Sequence, residues 1–172
     1  GNPWPTIWTN VSDGMNVTSF YRLSSSKSTS GELLAGAQDN ASFYFDGTDW
    51  YTAIGGDGMD NCMDTAQPGT FIGSSQYGYF SKSVDGGFSS FGISPNIQGE
   101  NAEWTTPLIA DYSNFQTYYI GFQNVVKSSD GGDNWTSISS FPPPPNFYGN
   151  ELSAIAVSKS NPDVLYAGRR VR

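Results

Sequence analysis

Short runs of alternating apolar and polar residues recur along this chain, separated by turns rich in Gly, Asp and Ser. Val125-Val126-Lys127 leads into such a turn, and Trp135-Thr136-Ser137-Ile138 leads out of it with the same alternation. A period of two residues is typical of β-strands that bury one face. No stretch has the period of an amphipathic helix, and 15% aromatic against 14% charged residues also favours strands. The pattern therefore predicts an all-β protein.

Four predicted strands share an ending, in which a glycine follows apolar residues. These glycines stand at positions 36, 73, 121 and 168, which are 37, 48 and 47 residues apart. Repeats of roughly 40–50 residues indicate four-stranded propeller blades. We therefore predict a β-propeller segment of four-stranded antiparallel blades, with about three whole blades and partial blades at both ends. The predicted boundaries are 1–17 for the end of a preceding blade, 18–55, 56–100 and 101–145 for three blades, and 146–172 for the start of the next.

Within each blade the strands are labelled A to D from the central channel outward. Residues 4–11 are predicted as the outer strand of the preceding blade, and residues 18–23 as strand A of the first blade. An arc of this kind leaves apolar sheet faces at its two ends. We therefore expect the remaining blades of the same propeller, or other copies of the chain, to cover them.

The turn between strands C and D of the third blade has a distinctive sequence. It reads Ser128-Ser129-Asp130-Gly131-Gly132-Asp133-Asn134-Trp135. An Asp side chain accepts hydrogen bonds from the N–H groups after it, and Gly supplies positive φ. The pattern Ser-x-Asp-x-Gly-x-x-Trp resembles the Asp-box, or bacterial neuraminidase repeat, of sialidases, sortilin-type propellers and xyloglucanase-type glycoside hydrolases. In those families the box is a structural turn and takes no part in catalysis.

The second blade carries a similar turn. The resemblance implies a structural role for Ser83, Asp85, Gly87, Ser128, Asp130, Gly132 and Trp135. In the second blade the aromatic residue is Phe91, one place later than the pattern expects, which predicts a bulge in the outer strand. The segments 36–40, 55–60 and 74–78 resemble sortilin-type repeats of large secreted bacterial surface proteins.

Ligands of the resembling families generally bind on the face opposite the boxes, where the B–C and D–A loops converge. The polar residues that follow each B strand are therefore ligand-binding candidates, and they are Gln38, Asn40, Gln76, Tyr77, Gln123, Asn124 and Arg169. The alternative is a polar rim that ties neighbouring blades together by hydrogen bonds.

The loop Gly55-Gly56-Asp57-Gly58-Met59-Asp60 is predicted on the same face. Asp57 and Asp60, with Asp64 nearby, could supply oxygen ligands for calcium, although the loop lacks the spacing of an EF-hand. A hydrogen-bonded Asp turn is the alternative, and no other cofactor is predicted. Asp39, Asp57 and Asp60 are also the candidates for the two carboxyl groups, about 5–10 Å apart, of a glycosidase.

Charge and composition exclude several classes of function. The net charge of −8 argues against nucleic acid as a partner. The chain has no His, so Ser-His-Asp catalysis is excluded, and Cys62 is its single cysteine. Sialidases use several Arg residues, whereas only Arg22, Arg169 and Arg170 precede the final Arg172 here. No run of about 18 apolar residues predicts a membrane span, and the first residues do not resemble a signal peptide.

Four Asn-x-Ser/Thr sequons are possible N-glycosylation sites, at Asn10, Asn16, Asn40 and Asn134. Together with the low charge they suit an extracellular or cell-surface protein. The main functional hypothesis is a non-catalytic secreted or cell-surface module that binds glycan or protein, or serves extracellular assembly. The alternatives are a glycoside hydrolase with its cleft on the B–C/D–A face, and a subunit of an extracellular filament. The four prolines at 142–145 predict a stiff connector between blades, with a partner-binding edge as the alternative.

Overall fold

The computed structural model describes residues 9, 13–14, 18–26, 31–64, 66–97, 99–114, 116–143 and 149–170. These residues form 14 β-strands and one short 3-10 turn at Gln76–Gly78, with no α-helix among them. The strands are β1 (Arg22–Ser25), β2 (Leu33–Gly36), β3 (Ser42–Phe45), β4 (Trp50–Ile54), β5 (Asn61–Met63), β6 (Phe71–Ser74), β7 (Phe80–Ser83), β8 (Phe91–Gly92), β9 (Leu108–Ala110), β10 (Tyr118–Gly121), β11 (Val125–Ser128), β12 (Thr136–Ser137), β13 (Leu152–Val157) and β14 (Leu165–Arg169).

The strands form four sheets, in which each strand pairs antiparallel with the next along the chain. Three sheets have four strands, in the orders β1-β2-β3-β4, β5-β6-β7-β8 and β9-β10-β11-β12, and the fourth pairs β13 with β14. The first strand of each sheet contacts the first strand of the next. This radial arrangement confirms the prediction of an all-β propeller segment built from four-stranded antiparallel blades.

Three apolar clusters hold the sheets together, one between each pair of neighbours. Leu34 and Tyr44 of the first sheet pack against Phe71 of the second. Ile72 and Phe80 belong to the cluster between the second and third sheets, with Cys62, Ile93, Leu108, Tyr118, Ile120, Phe122 and Val126. Tyr119, Val125, Leu152 and Val157 join the third and fourth sheets. Neighbouring sheets thus bury the faces that meet, which is how a propeller obtains its core.

The first A strand differs from its prediction. It begins at Arg22 and ends at Ser25, whereas residues 18–23 were predicted. Phe20 lies outside the sheet and stacks on Trp50 with 6.1 Å between ring centroids, so its apolar character reflects an aromatic contact. The predicted outer strand at 4–11 lies outside the described residues, apart from residue 9.

Two further predictions about the blades are wrong in detail. The repeated glycine ends β2 and β10, but it lies one residue before the end of β6 and of β14. The bulge predicted in the outer strand of the second blade is absent: Lys82 pairs with Phe91 just as Lys127 pairs with Thr136, without a register shift. Phe91 therefore occupies the position after the box tryptophan, and Ser90 takes the place of Trp135.

The sequence contains a second repeat, which lies at the A–B turns. The backbone N–H groups of Asp64, Asp111 and Ser158 donate to the carbonyl six residues later, at 2.8, 2.8 and 3.0 Å. The side chains of Asp64 and Asp111 also accept hydrogen bonds from N–H groups inside their turns. These three residues are 47 residues apart, so the A–B turn gives the blade period more sharply than the strand glycines do.

Candidate functional site

The two box turns use their polar atoms internally. In the third blade, Ser128 Oγ accepts from Gly132 N at 2.9 Å and donates to Asp130 Oδ1 at 2.8 Å. Asn134 donates its backbone N–H to Asp130 Oδ1 and its amide to Asp130 Oδ2. The second blade repeats this network with Ser83, Gly87, Asp85 and Ser89. Because both carboxylates are occupied, the boxes stabilise turns and offer no acid or base to a substrate.

These hydrogen bonds also alter the ionisation of the box carboxyl groups. The hydrogen bonds from Asn134, followed by the hydrogen bond from Ser128, lower the pKa of Asp130 to about 2. The pKa of Asp85 is lowered in the same direction, chiefly by Ser89. Each bond favours the charged carboxylate, so both groups stay ionised in mild acid.

The C–D turn of the first blade, between Phe45 and Trp50, is a shortened box that works in a similar way without the leading Ser. Asp46 Oδ1 accepts from the backbone N–H groups of Thr48 and Asp49 at 2.7 and 2.9 Å. Trp50 begins the outgoing strand and contacts the Phe45 ring, with 5.1 Å between centroids. The aromatic anchor is thus shared by this turn and the complete box of the third blade.

At the opposite edge of the sheets, the B–C and D–A loops meet through backbone hydrogen bonds. Gly58 N donates to Ala37 O, and Met59 N donates to Ser74 O. A Cβ on Gly58 would lie 2.2 Å from Ala41 O, so no larger residue fits there. The glycines of the loop 55–60 therefore serve close contact between backbone segments of neighbouring blades.

A polar network joins several predicted ligand-binding residues on this face. Gln76 Nε2 donates to Asp57 Oδ2 at 2.7 Å, and Asp39 N donates to Asp57 Oδ1 at 3.2 Å. Tyr21 Oη donates to Gln38 Oε1. Asn40 donates its amide to Gln38 O at 3.1 Å. The first two blades thus bring Gln38, Asp39, Asn40, Asp57 and Gln76 close together, as the convergence of their loops predicts.

Tyr77 stands out in the B–C loop of the second blade. It has φ 55° and ψ 38°, a left-handed conformation that is costly for a large side chain, and 59% of it is exposed. Tyr77 N donates to Trp104 O at 3.3 Å, and the Tyr77 and Trp104 rings meet edge to face with 5.2 Å between centroids. The loop therefore holds an exposed aromatic ring in a strained position, as ligand-contacting residues often are.

Asp60 is the most deeply buried of the three catalytic candidates. Its Oδ1 accepts from Asn61 N at 2.9 Å and lies 3.6 Å from Arg22 Nε, while its Oδ2 accepts from Leu108 N at 3.1 Å. Burial raises the pKa of Asp60, although the bond from Leu108 and the charge of Arg22 oppose this. One carboxyl group thus links the innermost strands of three successive blades.

A cleft of about 420 Å³ opens beside this junction, at the inner ends of the A strands. Aromatic, charged and hydroxyl side chains line it: Tyr21, Arg22, Glu103, Trp104, Thr105, Ser153 and Arg170. Rings flanked by hydroxyl and charged groups suit a ligand that has both apolar and polar surfaces.

The remaining predicted ligand-binding residues lie in the third and fourth blades and have structural contacts. Asn124 donates its backbone N–H and its side-chain amide to the two carboxylate oxygens of Glu100, at 2.9 and 2.8 Å. Arg169 donates to Pro142 O and Gln123 O, and its guanidinium lies 5.5 Å from the Phe141 ring. These contacts fit the alternative of a polar rim that joins neighbouring loops.

The structure does not bring the three calcium candidates together. Asp57 and Asp60 belong to the separate networks above, and Asp64 caps the turn at Ala66 and Gln67. The described residues contain no group of three or more acidic or cysteine side chains placed to hold a metal ion. Cys62 is buried, and burial raises its pKa well above the ordinary value.

Two of the predicted sequons lie among the described residues. The side chains of Asn40 and Asn134 are exposed. Asn134 uses its amide in the box, as described above. Asn10 and Asn16 lie outside the described residues, as do residues 144–148 of the proline-rich loop. No described helix is long and apolar enough to cross a bilayer.

Sequence reasoning missed most of the cleft lining. Tyr21 was assigned to a strand, and the Glu103-Trp104-Thr105 segment was not singled out because it follows no strand pattern. The missed signal was position: this segment ends three residues before β9 begins, and residues that lead into an A strand lie at the inner edge of the B–C/D–A face.

The geometry defines a β-propeller segment with a cleft on the face opposite its box turns, and the comparisons agree at the level of fold. No protein-family model matches the chain, and no curated protein matches it. Similar solved structures include an ancestral GH74 enzyme, with 18% identity over 87% of this chain and 22% of that one, and a TM-score of 0.67.

A GH74 enzyme from Niastella koreensis is similar at 17% identity over 77% of this chain and 19% of that one, with a TM-score of 0.55. A GH74 xyloglucanase from Xanthomonas campestris is similar at 12% identity over 89% of this chain and 35% of that one, with a TM-score of 0.58. The chain thus spans about a fifth to a third of these proteins, and at such identities the likeness concerns the fold.

Proposed function

We propose that this chain forms part of a secreted, carbohydrate-active β-propeller, and that the cleft on its B–C/D–A face binds a polysaccharide. The cleft itself is the observation that carries the proposal. Tyr21 and Trp104 present ring surface beside Glu103, Thr105 and Ser153. Pyranose rings have one apolar face and a rim of hydroxyl groups, which this lining matches. One of the enzymes with a similar fold, the xyloglucanase, acts on a polysaccharide.

The strained loop supports the same proposal. Tyr77 packs its edge against Trp104 and is held by a backbone bond to it, so the aromatic surface continues beyond the cleft. The hydrogen bond from Gln76 to Asp57 also holds this loop in place. Rings that are positioned before binding lose little conformational entropy when a sugar stacks on them.

Titration of the full chain with xyloglucan oligosaccharides by isothermal calorimetry tests the proposal. We expect Trp104→Ala to weaken binding by about tenfold or more, which corresponds to roughly 1.4 kcal/mol. Phe88→Ala is the matched control, since Phe88 is an aromatic residue that is 88% exposed on the box side. Equal losses in the two variants, with both folded by circular dichroism, would contradict a binding role for the cleft.

Hydrolysis of the bound polysaccharide is the reaction that the similar enzymes favour. A glycosidase needs an acid and a second carboxyl group on either side of the scissile bond. Within the cleft lining, Glu103 is the acidic side chain, so it supplies one of these two groups and the second must come from outside the lining. We expect reducing ends to appear when xyloglucan is incubated with the chain, and Glu103→Gln to abolish their release.

Binding without hydrolysis is the second candidate function. It is favoured by the hydrogen bonds of two of the three predicted catalytic carboxylates, since Asp57 is engaged by Gln76 and Asp60 by Leu108. A carboxylate committed in this way to blade junctions is poorly placed to exchange protons with a substrate. Calorimetric binding with no reducing ends released over a day would select this function over the hydrolase.

A further inference from the structure

We propose that a groove at the outer edge of the second blade accepts an extended peptide with a basic side chain, which adds a strand beside β8. This site goes beyond the proposed function, because it lies at the outer edge of the arc, whereas the glycan cleft lies at the inner edge. It is carried by an unpaired sheet edge that meets an exposed carboxylate and two aromatic side chains.

The groove has a volume of about 490 Å³ and lies between the outer strand of the second blade and the box turn of the third. Residues 91–94, 96 and 97 of the second blade and residues 132–135 of the third line it. Trp135 Nε1 donates to Ile93 O at 2.9 Å, and this bond fixes the two segments relative to one another. The groove is therefore formed before a ligand arrives, which lowers the entropic cost of binding.

The backbone of β8 offers hydrogen-bonding groups to this groove. β8 is the last strand of its sheet, so its outer edge is unpaired among the described strands. Ile93 N donates to Phe80 O, and the next pair along is Gly92 with Ser81. Opposed residues of an antiparallel ladder alternate between hydrogen-bonded and non-hydrogen-bonded pairs, so the N–H and C=O of Gly92 point away from β7. An extended peptide can therefore pair with Gly92 as an added strand.

A comparison of the two blade junctions shows what is special about this groove. The box sequences align Phe88 with Asp133, and the strand pairings align Tyr51 with Phe91. At the first junction the Phe88 and Tyr51 rings contact one another, with 6.4 Å between centroids. At the second junction a carboxylate replaces this aromatic contact, and Asp133 lines the groove together with Phe91, which is 47% exposed.

The charges around the groove favour a cationic ligand. No ion pair engages the exposed Asp133 carboxylate within the described ranges. Lys82 donates Nζ to Gly131 O of the same turn, and the pKa of Asp130 is lowered to about 2, so the turn carries two carboxylates against one ammonium group. A Lys or Arg side chain can pair with Asp133 and contact the Phe91 ring, because aromatic rings attract cations.

The other lining residues favour a peptide over a glycan. Ser94 Oγ accepts from Phe80 N at 2.8 Å, and Asn134 donates its amide to Asp130. These polar groups already serve the fold, so they are poorly placed to bind the hydroxyl groups of a sugar. Ile97 adds apolar surface, which accommodates an aliphatic side chain two residues from the basic one.

NMR titration of the isotope-labelled full chain tests the proposal. The probe is an octapeptide of alternating Val and Thr with one central Lys, and its counterpart has Glu in place of Lys. We expect the Lys peptide to shift the signals of the Gly92 amide and the Trp135 indole N–H. It should bind at least about fivefold more tightly than the Glu peptide, since the Lys pairs with an exposed carboxylate that repels the Glu.

Two further arms separate the charge from the added strand. Asp133→Asn should remove the preference for Lys, whereas Asp163→Asn is the matched control, because it deletes the same charge at an exposed A–B turn of the fourth blade. Methylation of alternate peptide N–H groups should abolish binding on the edge that pairs with β8 and preserve it on the other edge. The methylation arm uses the unaltered protein, so it tests the proposal even if a variant fails to fold.

Each remaining outcome would overturn part of the proposal. Equal binding of the Lys and Glu peptides, or an unchanged preference in Asp133→Asn, would overturn the basic ligand. Equal effects of methylation on the two edges would overturn strand addition. No shift of the Gly92 and Trp135 signals with peptide up to about 1 mM would overturn the site itself. Displacement of the Lys peptide from these signals by xyloglucan oligosaccharides would replace the peptide with a glycan as the ligand of the groove.

Discussion

At the scale of single residues, the pKa of an Asp side chain is shifted in opposite directions on the two faces of the propeller. Asp130 sits in a box turn, where hydrogen bonds lower its pKa to about 2. Asp60 sits at the blade junction, where burial raises its pKa. Both are committed to structure, and the difference arises from whether N–H donors or loss of water dominates around the carboxyl group.

Asp130 gives a prediction about stability in acid. A carboxyl group whose folded pKa lies below its unfolded value of about 3.9 stabilises the fold above that pH, and this contribution is lost as the pH falls towards 2. We expect the difference in unfolding free energy between the natural chain and Asp130→Asn to be constant above about pH 5 and to shrink between about pH 4 and 2. Urea unfolding at constant ionic strength measures it. In Asn134→Ala the shrinkage should be smaller and should end at higher pH, because losing the side-chain bond brings the folded pKa of Asp130 closer to its unfolded value. Identical profiles would contradict the hydrogen bonds as the cause.

Tyr77 gives a prediction that separates stability from binding. Glycine adopts φ 55° without steric cost, so Tyr77→Gly relieves roughly 1–2 kcal/mol of strain while it loses the contact with Trp104 and gains unfolded-state entropy. We expect the free energy of unfolding to stay within about 1 kcal/mol of the natural value, and affinity for glycan to fall about tenfold. Tyr77→Asn, which tolerates the same backbone, is the control for side chain loss. A large destabilisation without change in affinity would show that Tyr77 serves the fold alone.

Residues that carry the boxes could be read from the sequence, whereas residues that line the cleft could not. Ser128, Asp130 and Gly132 interact within five positions, so their spacing alone specifies the turn. Trp104 and Arg170 come from loops 66 residues apart. Arg170 follows a predicted B strand, whereas no local pattern marks Trp104. Their meeting depends on how whole blades are placed around the axis.

At the scale of elements, the box turn connects blades as well as strands. Trp135 Nε1 donates to Ile93 O of the preceding blade at 2.9 Å, and Lys82 Nζ donates to Gly131 O at 2.7 Å. The turn is therefore held from outside by the second blade. At the equivalent position the second blade has Ser90, so this tryptophan clamp joins the third blade to the second and has no counterpart from the second blade to the first.

Gly132 gives a prediction about this turn. It has φ 98°, and a Cβ there would lie 2.9 Å from Ile93 Cδ1 in the adjoining blade. We expect Gly132→Ala to lower the free energy of unfolding by about 2 kcal/mol or more, since it adds backbone strain to a steric clash. Gly92→Ala is the control, because a Cβ at Gly92 meets nothing within 4 Å. Thermal or urea unfolding compares them, and similar values for both variants would contradict this account of the turn.

The elements show how far periodicity predicts structure. The lead-in to the box turn, Val125-Val126-Lys127, lies in β11 as its pattern predicts, because Val125 and Val126 are buried in the two clusters on either side of this sheet. β1 was misplaced, because apolar Phe20 contacts Trp50 outside any sheet. Periodicity records burial and does not distinguish a strand from an aromatic contact beside one.

At the scale of the whole molecule, apolar surface remains on the outer faces of the first and fourth sheets. Leu23 is 58% exposed and Trp50 is 46% exposed on the first, while Tyr166 is 67% exposed on the fourth. Between the sheets, equivalent faces are buried in the three apolar clusters. The two outer faces thus have the composition of blade contacts and no blade against them in the described ranges.

These faces predict self-association of the isolated chain. Stacking one outer face on another removes apolar surface from water, which contributes roughly 25 cal/mol per Å². We therefore expect concentration-dependent oligomers in sedimentation velocity between about 1 and 100 µM, a range that corresponds to roughly −8 to −5 kcal/mol of association free energy.

Tyr166→Glu should shift the distribution towards monomer, since it places a charge in the centre of the fourth sheet's contact face. Phe88→Glu introduces the same charge at a residue that is more exposed but belongs to a turn, so it should leave association unchanged. A monomer at every concentration, or equal effects of the two substitutions, would mean that these faces do not drive contacts between copies.

Sheet stacking would extend the arc, and the cleft lies at the inner edge of the arc. Oligomers should therefore also bind glycan at one cleft per chain, which calorimetry at high and low protein concentration can verify.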